Sequence, residues 1–195
     1  MRRLVIATGN AHKLGELREL LPGIPLVGLD AFPPMAAPDE AAPDYAGNAL
    51  IKARAAAQHV GEACLADDSG LEVEGLGWEP GVRSARYAPG TDADRRRALL
   101  AALVPGLSRK ARFVCVIAVS GLPGGAELVV RGESPGRIGL AERGLGGFGY
   151  DPLFEVTALG RTFAELTAEE KHALSHRGRA AAALLPKLRP FLDVP

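Results

Sequence analysis

Apolar runs and helical periods alternate along the chain. The apolar run Leu4 to Ala7 predicts a strand, and Thr8-Gly9-Asn10 then predicts a turn into a helix that continues to about Leu21. The leucines of this helix recur at helical spacing and fall on one face, namely Leu14, Leu17, Leu20 and Leu21. A strand, a turn and a helix in this order are typical of an α/β fold.

The remaining pattern predicts further strands and helices in alternation. Helices are predicted from about Asp44 to Val60, over residues 92–104, and from Ser175 to Leu192 with a buried stripe of Leu184, Leu185, Leu188, Phe191 and Leu192. Strands are predicted leading into Asp67-Asp68, over Leu71 to Glu74, over Ala111 to Ser120 and over Glu127 to Gly132. The last two flank Pro123-Gly124-Gly125 and indicate an antiparallel hairpin, so we expect an α/β fold with a mixed β-sheet flanked by helices.

Composition narrows the class of protein. The chain has 195 residues of which 47% are hydrophobic, enough to bury a full core as one domain, 1–195. It carries 23 basic and 23 acidic residues, so its net charge gives no reason to expect nucleic-acid or membrane-surface binding. Cys64 and Cys115 form no C-x-x-C and are predicted to be small buried hydrophobes. With no signal-like segment and no apolar run of about 20 residues, we expect a cytoplasmic protein.

The tract Leu65 to Leu71 places two adjacent carboxylates, Asp67 and Asp68, where an apolar strand meets Ser69-Gly70. Paired carboxylates of this kind hold divalent cations. Successive side chains of a strand point to opposite faces, so we expect a turn at Ser69-Gly70, one aspartate at the site and the other supporting it. The alternative is a structural strand end whose carboxylates accept backbone N–H groups of an Asx turn.

Other segments carry groups that suit a nucleotide. Thr8-Gly9-Asn10 ends a strand ahead of a helix N-terminus, which attracts anions, and Lys13 lies in the first turn, where the helix dipole disfavours a cation unless an anion is bound. A simple helix cap with a solvated lysine is the alternative. Phe148-Gly149-Tyr150-Asp151 offers aromatic faces for a base, or else a core aromatic pair. Lys171, His172, His176 and Arg177 gather cations at a predicted helix start capped by Ser175, or form surface charge.

Three sequence patterns match known functional motifs, but physical arguments count against the corresponding function in each case. Residues 144–149 match G-x-G-x-x-G, but Pro152 follows where a dinucleotide fingerprint needs a helix. Residues 132–136 match G-x-S-x-G, but Pro135 has no N–H for an oxyanion hole. The run Arg95-Arg96-Arg97 points in different directions on a helix, which favours a solvated face over a basic patch.

Five sequence motifs, taken in their order along the chain, closely resemble the inosine triphosphate pyrophosphatase family over about residues 4–190. They are Thr8-Gly9-Asn10-x-x-Lys13, the tract Leu65 to Leu71, Pro80-Gly81-x-x-Ser84-Ala85-Arg86-Tyr87, Gly146 to Pro152 and Ser175-His176-Arg177. The resemblance implies an extended mixed sheet, a single domain of two lobes with a central cleft, and a homodimer. It also implies Mg²⁺-dependent hydrolysis of ITP, dITP and XTP to the monophosphate and pyrophosphate.

The same resemblance implies roles for individual residues. Asp68 would be the proton acceptor and a metal ligand, and Glu40, in a Pro/Ala-rich loop over residues 31–43, another ligand. Substrate contacts would come from Thr8, Gly9, Asn10, Lys13, Ser69, Phe148, Gly149, Tyr150, Asp151, Lys171, His176 and Arg177. One departure is Gly47, where the family usually has a glutamate before Asn48-Ala49.

Two rival functions fit the same residues. A related pyrophosphatase acting on other modified or pyrimidine nucleotides would use the same metal chemistry. A non-catalytic nucleotide sensor would use the aromatic and cationic groups alone. The substrate profile separates the first rival, and the detection of pyrophosphate as product separates the second.

Overall fold

A computed structural model of the chain describes residues 3–192, with only the backbone of Leu192. The strands are β1 (Leu4–Ile6), β2 (Leu26–Gly28), β3 (Cys64–Val73), β4 (Lys110–Ser120), β5 (Leu128–Ile138), β6 (Phe154–Val156) and β7 (Arg161–Thr162). The α-helices are α1 (Ala11–Leu20), α2 (Tyr45–Val60), α3 (Asp92–Ala102), α4 (Ala168–Leu174) and α5 (His176–Leu192). The predicted place of Leu192 in a buried stripe lies outside the described side chains.

The strands form one seven-stranded sheet in the order β2-β1-β3-β4-β5-β6-β7. Strand β1 pairs in parallel with β2 and β3, whereas β6 pairs antiparallel with β5 and β7. The predicted mixed sheet flanked by helices is therefore confirmed. Strands β4 and β5 are neighbours, and residues 121–127 between them are too few for a parallel crossover, so they form the predicted hairpin.

The chain divides into two compact units. One comprises the described residues up to Asp68, then Cys115–Gly132 and the chain from Arg177 onward. The other comprises Ser69–Val114 and Glu133–His176. The buried core of the first includes Leu4, Leu17, Leu65, Ile117, Leu184 and Leu188. The buried core of the second includes Leu71, Leu99, Phe113, Leu153, Phe154 and Phe163.

Helices α1 and α2 follow the sequence signals closely. The Asn10 side chain caps α1, and Leu17 and Leu21 are buried with Leu14 and Leu20 packed beside them, as the leucine spacing predicts. Asp44 caps α2 by accepting the Gly47 N–H at 2.7 Å, and Gly61 ends the helix in the left-handed conformation. Glycine occupies that conformation without the steric cost that a Cβ would bring.

The predicted turn at Ser69-Gly70 is wrong. Strand β3 runs unbroken through both residues, so the predicted separate strand Leu71 to Glu74 is part of it. Strand β1 reaches β3 only at Cys64 and Leu65, and β4 is its other neighbour in the sheet. Sheet pairing thus outweighs the local turn preference of a serine and a glycine. Asp67 and Asp68 consequently keep the alternation of an ordinary strand and point to opposite faces.

Strand β5 and helix α4 also differ from prediction. Strand β5 continues to Ile138 because Gly136 admits the neighbouring strand closely, and a Cβ there would lie 2.5 Å from the Glu155 carbonyl oxygen. Helix α4 is absent from the predicted pattern. It begins at a Thr167–Glu170 capping box, and Ser175 ends it, so α5 starts at His176.

None of the helices within residues 3–192 combines the length and hydropathy that crossing a bilayer requires.

Candidate active site

Asp67 lies in β3 and receives two cations in the first unit. Its Oδ2 is 2.9 Å from Lys13 Nζ and 3.0 Å from an Arg177 guanidinium nitrogen. Burial alone would raise the pKa of Asp67, but Lys13 and Arg177 outweigh it and hold that pKa well below its usual range. Asp67 is therefore an ionised, buried anchor between α1 and α5, consistent with a supporting carboxylate.

Asp68 lies on the other face of β3 and has a different partner. Its Oδ1 accepts a hydrogen bond from Lys52 Nζ on α2 at 2.9 Å. Its Oδ2 is buried and has no hydrogen-bond partner among the described residues. Burial raises the pKa of Asp68, and Lys52 offsets this only in part. Asp68 combines a proton affinity above that of an ordinary aspartate with an oxygen available to a ligand.

Glu40 and Asp68 converge on one cation. The Lys52 ammonium lies 3.5 Å from Glu40 Oε2 and 2.9 Å from Asp68 Oδ1. These hard oxygen donors suit Mg²⁺, which takes one or two carboxylates and completes its shell with water and phosphate oxygens. Within residues 3–191 no group of three or more His, Cys, Asp or Glu side chains is placed to hold a metal. Two carboxylates are as many as Mg²⁺ commonly takes from a protein when water and phosphate oxygens complete its shell, so Glu40 and Asp68 have the donor chemistry that such an ion needs.

The segment Thr8 to Lys13 forms a cap, and its lysine is not solvated. Asn10 Oδ1 accepts the His12 and Lys13 N–H groups, and Thr8 Oγ1 accepts the Asn10 N–H at 3.1 Å. Lys13 turns inward to Asp67, so the anion that compensates a cation in the first helical turn is part of the protein. Gly9 is exposed, and a Cβ there would meet no atom within 4 Å, which leaves room for a ligand beside this backbone.

Arg177 supports the carboxylates rather than lying at the surface. It is 1% exposed and binds Asp67 together with Glu16, the latter at 2.5 Å. Its guanidinium thus joins the start of α5 to both β3 and α1. The prediction that Arg177 contacts substrate stays a prediction.

In the second unit, Asp151 organises a cluster around Phe148, which we call the aromatic cluster (Phe148, Gly149, Asp151 and Lys171). Asp151 Oδ2 accepts the Phe148 N–H at 2.9 Å and the Lys171 ammonium at 2.7 Å. Lys171 Nζ also lies 4.9 Å from the centroid of the Phe148 ring, a cation–π distance. The two aromatic residues differ, because Phe148 is half-buried whereas Tyr150 is a core residue that donates its hydroxyl hydrogen to the Ser84 carbonyl.

The remaining predicted site residues lie in the same unit. His176 is buried and stacks on Phe113 with ring centroids 4.7 Å apart, and Ser69 is half-buried on β3. Lys171 is buried on α4 with His172 half-buried beside it, so neither lies at the start of α5 as predicted. The surface-charge alternative does not hold for Lys171, His176 and Arg177.

A model of the Ham1 family matches residues 4–187 of this chain. The chain belongs to the Ham1 family. It is 52% identical to a dITP/XTP pyrophosphatase of Symbiobacterium thermophilum over 98% of both chains, and 48% identical to one of Nocardia farcinica over 99% of this chain and 98% of the other. The Staphylococcus aureus Ham1 protein superposes with a TM-score of 0.87 at 37% identity, over 97% of this chain and 99% of the other. A HAM1 protein from Coxiella burnetii gives 0.86 at 41% identity, over 97% and 100%. The resemblance drawn from the sequence is confirmed.

Sequence reasoning missed two residues of this Ham1 chain that complete its carboxylate cluster, which comprises Lys13, Glu16, Glu40, Lys52, Asp67, Asp68 and Arg177. Lys52 was available from the pattern, because it lies one helical turn after the buried Asn48 and so faces inward on α2. Glu16 carried no such signal, because its partner Arg177 is distant in the chain.

Gly47, the departure from the Ham1 pattern, has a local reason. A Cβ at Gly47 would lie 2.5 Å from the Ala42 Cβ, and the Asn48 side chain accepts the Ala42 N–H at 3.0 Å. The loop that carries Glu40 is thereby fastened directly onto α2.

Proposed function

We propose that this Ham1 chain hydrolyses the non-canonical purine nucleoside triphosphates ITP, dITP and XTP to the nucleoside monophosphate and pyrophosphate. The names of its relatives support this substrate class. The observation that carries the proposal is Asp68, a buried carboxylate of raised pKa that shares a cation with Glu40 and keeps one oxygen without a partner among the described residues. A carboxylate in that state suits the activation of water.

Glu40 and Asp68 are the residues that would hold Mg²⁺. The metal, when bound, neutralises negative charge on the phosphoryl oxygens as it develops. Support for this pair comes from their convergence on the Lys52 ammonium and from their oxygen donors.

Asp68 is proposed to orient the attacking water and to accept its proton. A general base works best when its pKa lies closer to neutrality than that of a free carboxyl group, and in the metal-free protein burial shifts the pKa of Asp68 in that direction. Such a base contributes about 10²- to 10⁴-fold to a rate.

The cleaved bond lies between the α and β phosphates, so the departing pyrophosphate needs positive charge. Lys13 and Lys52 supply it, because both ammonium groups already lie on buried carboxylates and need little reorganisation. The backbone at Thr8 and Gly9, beside the N-terminus of α1, adds an environment that attracts anions.

The aromatic cluster is proposed to select the base. Inosine and xanthine carry a 6-oxo acceptor where adenine carries an amino donor, and Lys171 beside the Phe148 ring is a donor suited to the oxo group. A site built around such a bond rejects the wrong base by up to about 10⁴-fold. GTP shares the 6-oxo group, so its rejection rests on the 2-amino group.

The test is to identify the products from ITP, XTP, dITP, GTP, ATP and the pyrimidine nucleotides CTP and UTP at one Mg²⁺ concentration. We expect pyrophosphate from the first three and much slower turnover of ATP. Equal rates with ATP would refute purine selection, and a preference for pyrimidine nucleotides would favour the related-pyrophosphatase alternative. Binding without turnover would indicate a nucleotide sensor.

A homodimer, which the family resemblance implies, and a cytoplasmic location, which the sequence pattern led us to expect, belong to the same proposal. Light scattering coupled to size-exclusion chromatography tests the dimer. Fractionation of the native host tests the location.

A further inference from the structure

Helix α3 holds the peptide backbone of Gly149 from two sides. Asp92 Oδ2 accepts the Gly149 N–H at 2.9 Å, and an Arg96 guanidinium nitrogen donates to the Gly149 carbonyl at 2.8 Å. The two side chains are four residues apart and therefore share one face of α3. All three residues belong to the second unit.

The neighbours of Gly149 are held by separate bonds. The Phe148 N–H is bound by Asp151, and the Tyr150 hydroxyl by the Ser84 carbonyl. Gly149 has φ of +60°, a conformation that glycine adopts without strain. Residues 140–147 before it are exposed, so the bonds to α3 act where the exposed loop meets the buried chain.

Helix α3 is itself a firm support. A Thr91–Asp94 capping box starts it, and Leu99 is fully buried. Burial would raise the pKa of Asp92, but Arg95 and the Gly149 N–H more than offset it and lower that pKa. Asp92 is therefore ionised at neutral pH, and its bond to Gly149 is charge-assisted.

We propose that Asp92 and Arg96 are positioning residues for base recognition. They fix the backbone N–H and the backbone carbonyl of Gly149. In this way they position the ring of the adjacent Phe148 before a nucleotide binds. This inference rests on the proposed function, because it takes Phe148 as the surface on which the purine stacks. Both act through the Gly149 backbone, so we expect their effect to fall on nucleotide binding rather than on the chemical step.

The test compares Asp92→Ala and Arg96→Ala with wild type in steady-state hydrolysis of ITP. Each variant is expected to raise KM about tenfold, as the loss of one charge-assisted hydrogen bond implies, with kcat within about threefold. The matched control is Arg97→Ala, because Arg97 is the next residue on α3 but is exposed and pairs with Asp94. It should leave both constants unchanged.

Conservative replacement separates positioning from general destabilisation. Asp92→Asn keeps an oxygen that can accept the Gly149 N–H, so its KM should lie close to that of wild type. In the double variant Asp92→Ala/Phe148→Ala, KM should equal that of Phe148→Ala alone. Additive effects would overturn the inference, as would a fall in kcat with KM unchanged. If one alanine variant fails to fold by circular dichroism, the other supplies the same comparison.

A base-free substrate distinguishes this inference from the proposed function. Ribose 5-triphosphate should be hydrolysed equally by wild type and by Asp92→Ala, because no purine stacks on Phe148. If Phe148→Ala leaves KM for ITP unchanged, base stacking in the proposed function fails. If Phe148→Ala raises KM but Asp92→Ala and Arg96→Ala do not, this inference alone fails.

Discussion

Lys52 Nζ lies 2.9 Å from Asp68 Oδ1 on the side of β3 opposite to the Asp67 anchor. The same ammonium is 3.5 Å from Glu40, so in the absence of metal one lysine neutralises two carboxylates. A Mg²⁺ ion held by Glu40 and Asp68 would add positive charge beside the same two carboxylates. The relationship makes Lys52 a test of the metal proposal that does not depend on turnover.

Lys52→Met should lower the melting temperature more at pH 8 than at pH 5. Removal of the ammonium raises the pKa of Asp68 further, and a carboxyl whose folded pKa exceeds its unfolded value destabilises the fold as pH rises above about 4. At pH 8 the free energy of unfolding is expected to fall by about 3 kcal/mol. Millimolar Mg²⁺ should recover more stability in this variant than in wild type, measured by differential scanning fluorimetry.

Arg54→Met is the control, because Arg54 is on the same helix but pairs with Glu127 at the surface. Its melting temperature should not depend on Mg²⁺ beyond the response of wild type. An identical Mg²⁺ response of Lys52→Met and wild type would count against a metal at Glu40 and Asp68.

Asp68→Asn should reduce kcat by about 10²- to 10⁴-fold while the protein remains folded. The amide keeps the shape of the side chain but cannot accept the proton of the attacking water. Turnover of ITP and far-UV circular dichroism check the two parts of this prediction. Asp39→Asn, in the exposed loop, should leave kcat unchanged. Near-normal activity of Asp68→Asn would contradict the assignment of Asp68 as the general base.

Asp67 should contribute to acid sensitivity. Its folded pKa is depressed by Lys13 and Arg177 despite burial, so its contribution is fully present above the unfolded value of about 3.9 and declines as pH falls toward the folded value. Asp67→Asn should therefore lower the free energy of unfolding at pH 7 by about 3 to 5 kcal/mol, because Lys13 and Arg177 lose their shared carboxylate. Below pH 5 its melting temperature should fall less steeply than that of wild type.

Cys64 and Cys115 should not react with Ellman's reagent at pH 8 in the folded protein. Both thiols are buried, and burial is the main cause that raises the pKa of each to about 12. In guanidinium chloride both should react at once. Rapid modification of either thiol under native conditions would show that the surrounding core opens readily.

The sequence carried local signals for the elements with recognisable ends. Asn10, Asp44 and Gly61 mark the ends of α1 and α2, and these helices lie where predicted. Helix α4 was missed because its polar residues show no apolar period, although the Thr167–Glu170 capping box was a readable signal. The unbroken course of β3 through Gly70 depends on neighbouring strands, which a local pattern does not specify.

The same distinction applies to the candidate site. Residue types and family resemblance were enough to predict roles for Asp68, Glu40, Phe148 and Lys171, and those roles stay predictions. They were not enough to show that Lys13 turns to Asp67 or that Arg177 joins Asp67 and Glu16, because these pairs form between distant parts of the chain. The Arg95-Arg96-Arg97 run shows the limit most clearly. Its middle member binds the Gly149 carbonyl, whereas a solvated face was predicted.

The contact between Gly47 and Ala42 constrains how this sequence can change. Any side chain at position 47 would displace Ala42 and, with it, the loop that presents Glu40. A glutamate at position 47 is therefore compatible with this fold only if the loop shifts at Ala42. The backbone position of Glu40 thus depends on the absence of a side chain at Gly47.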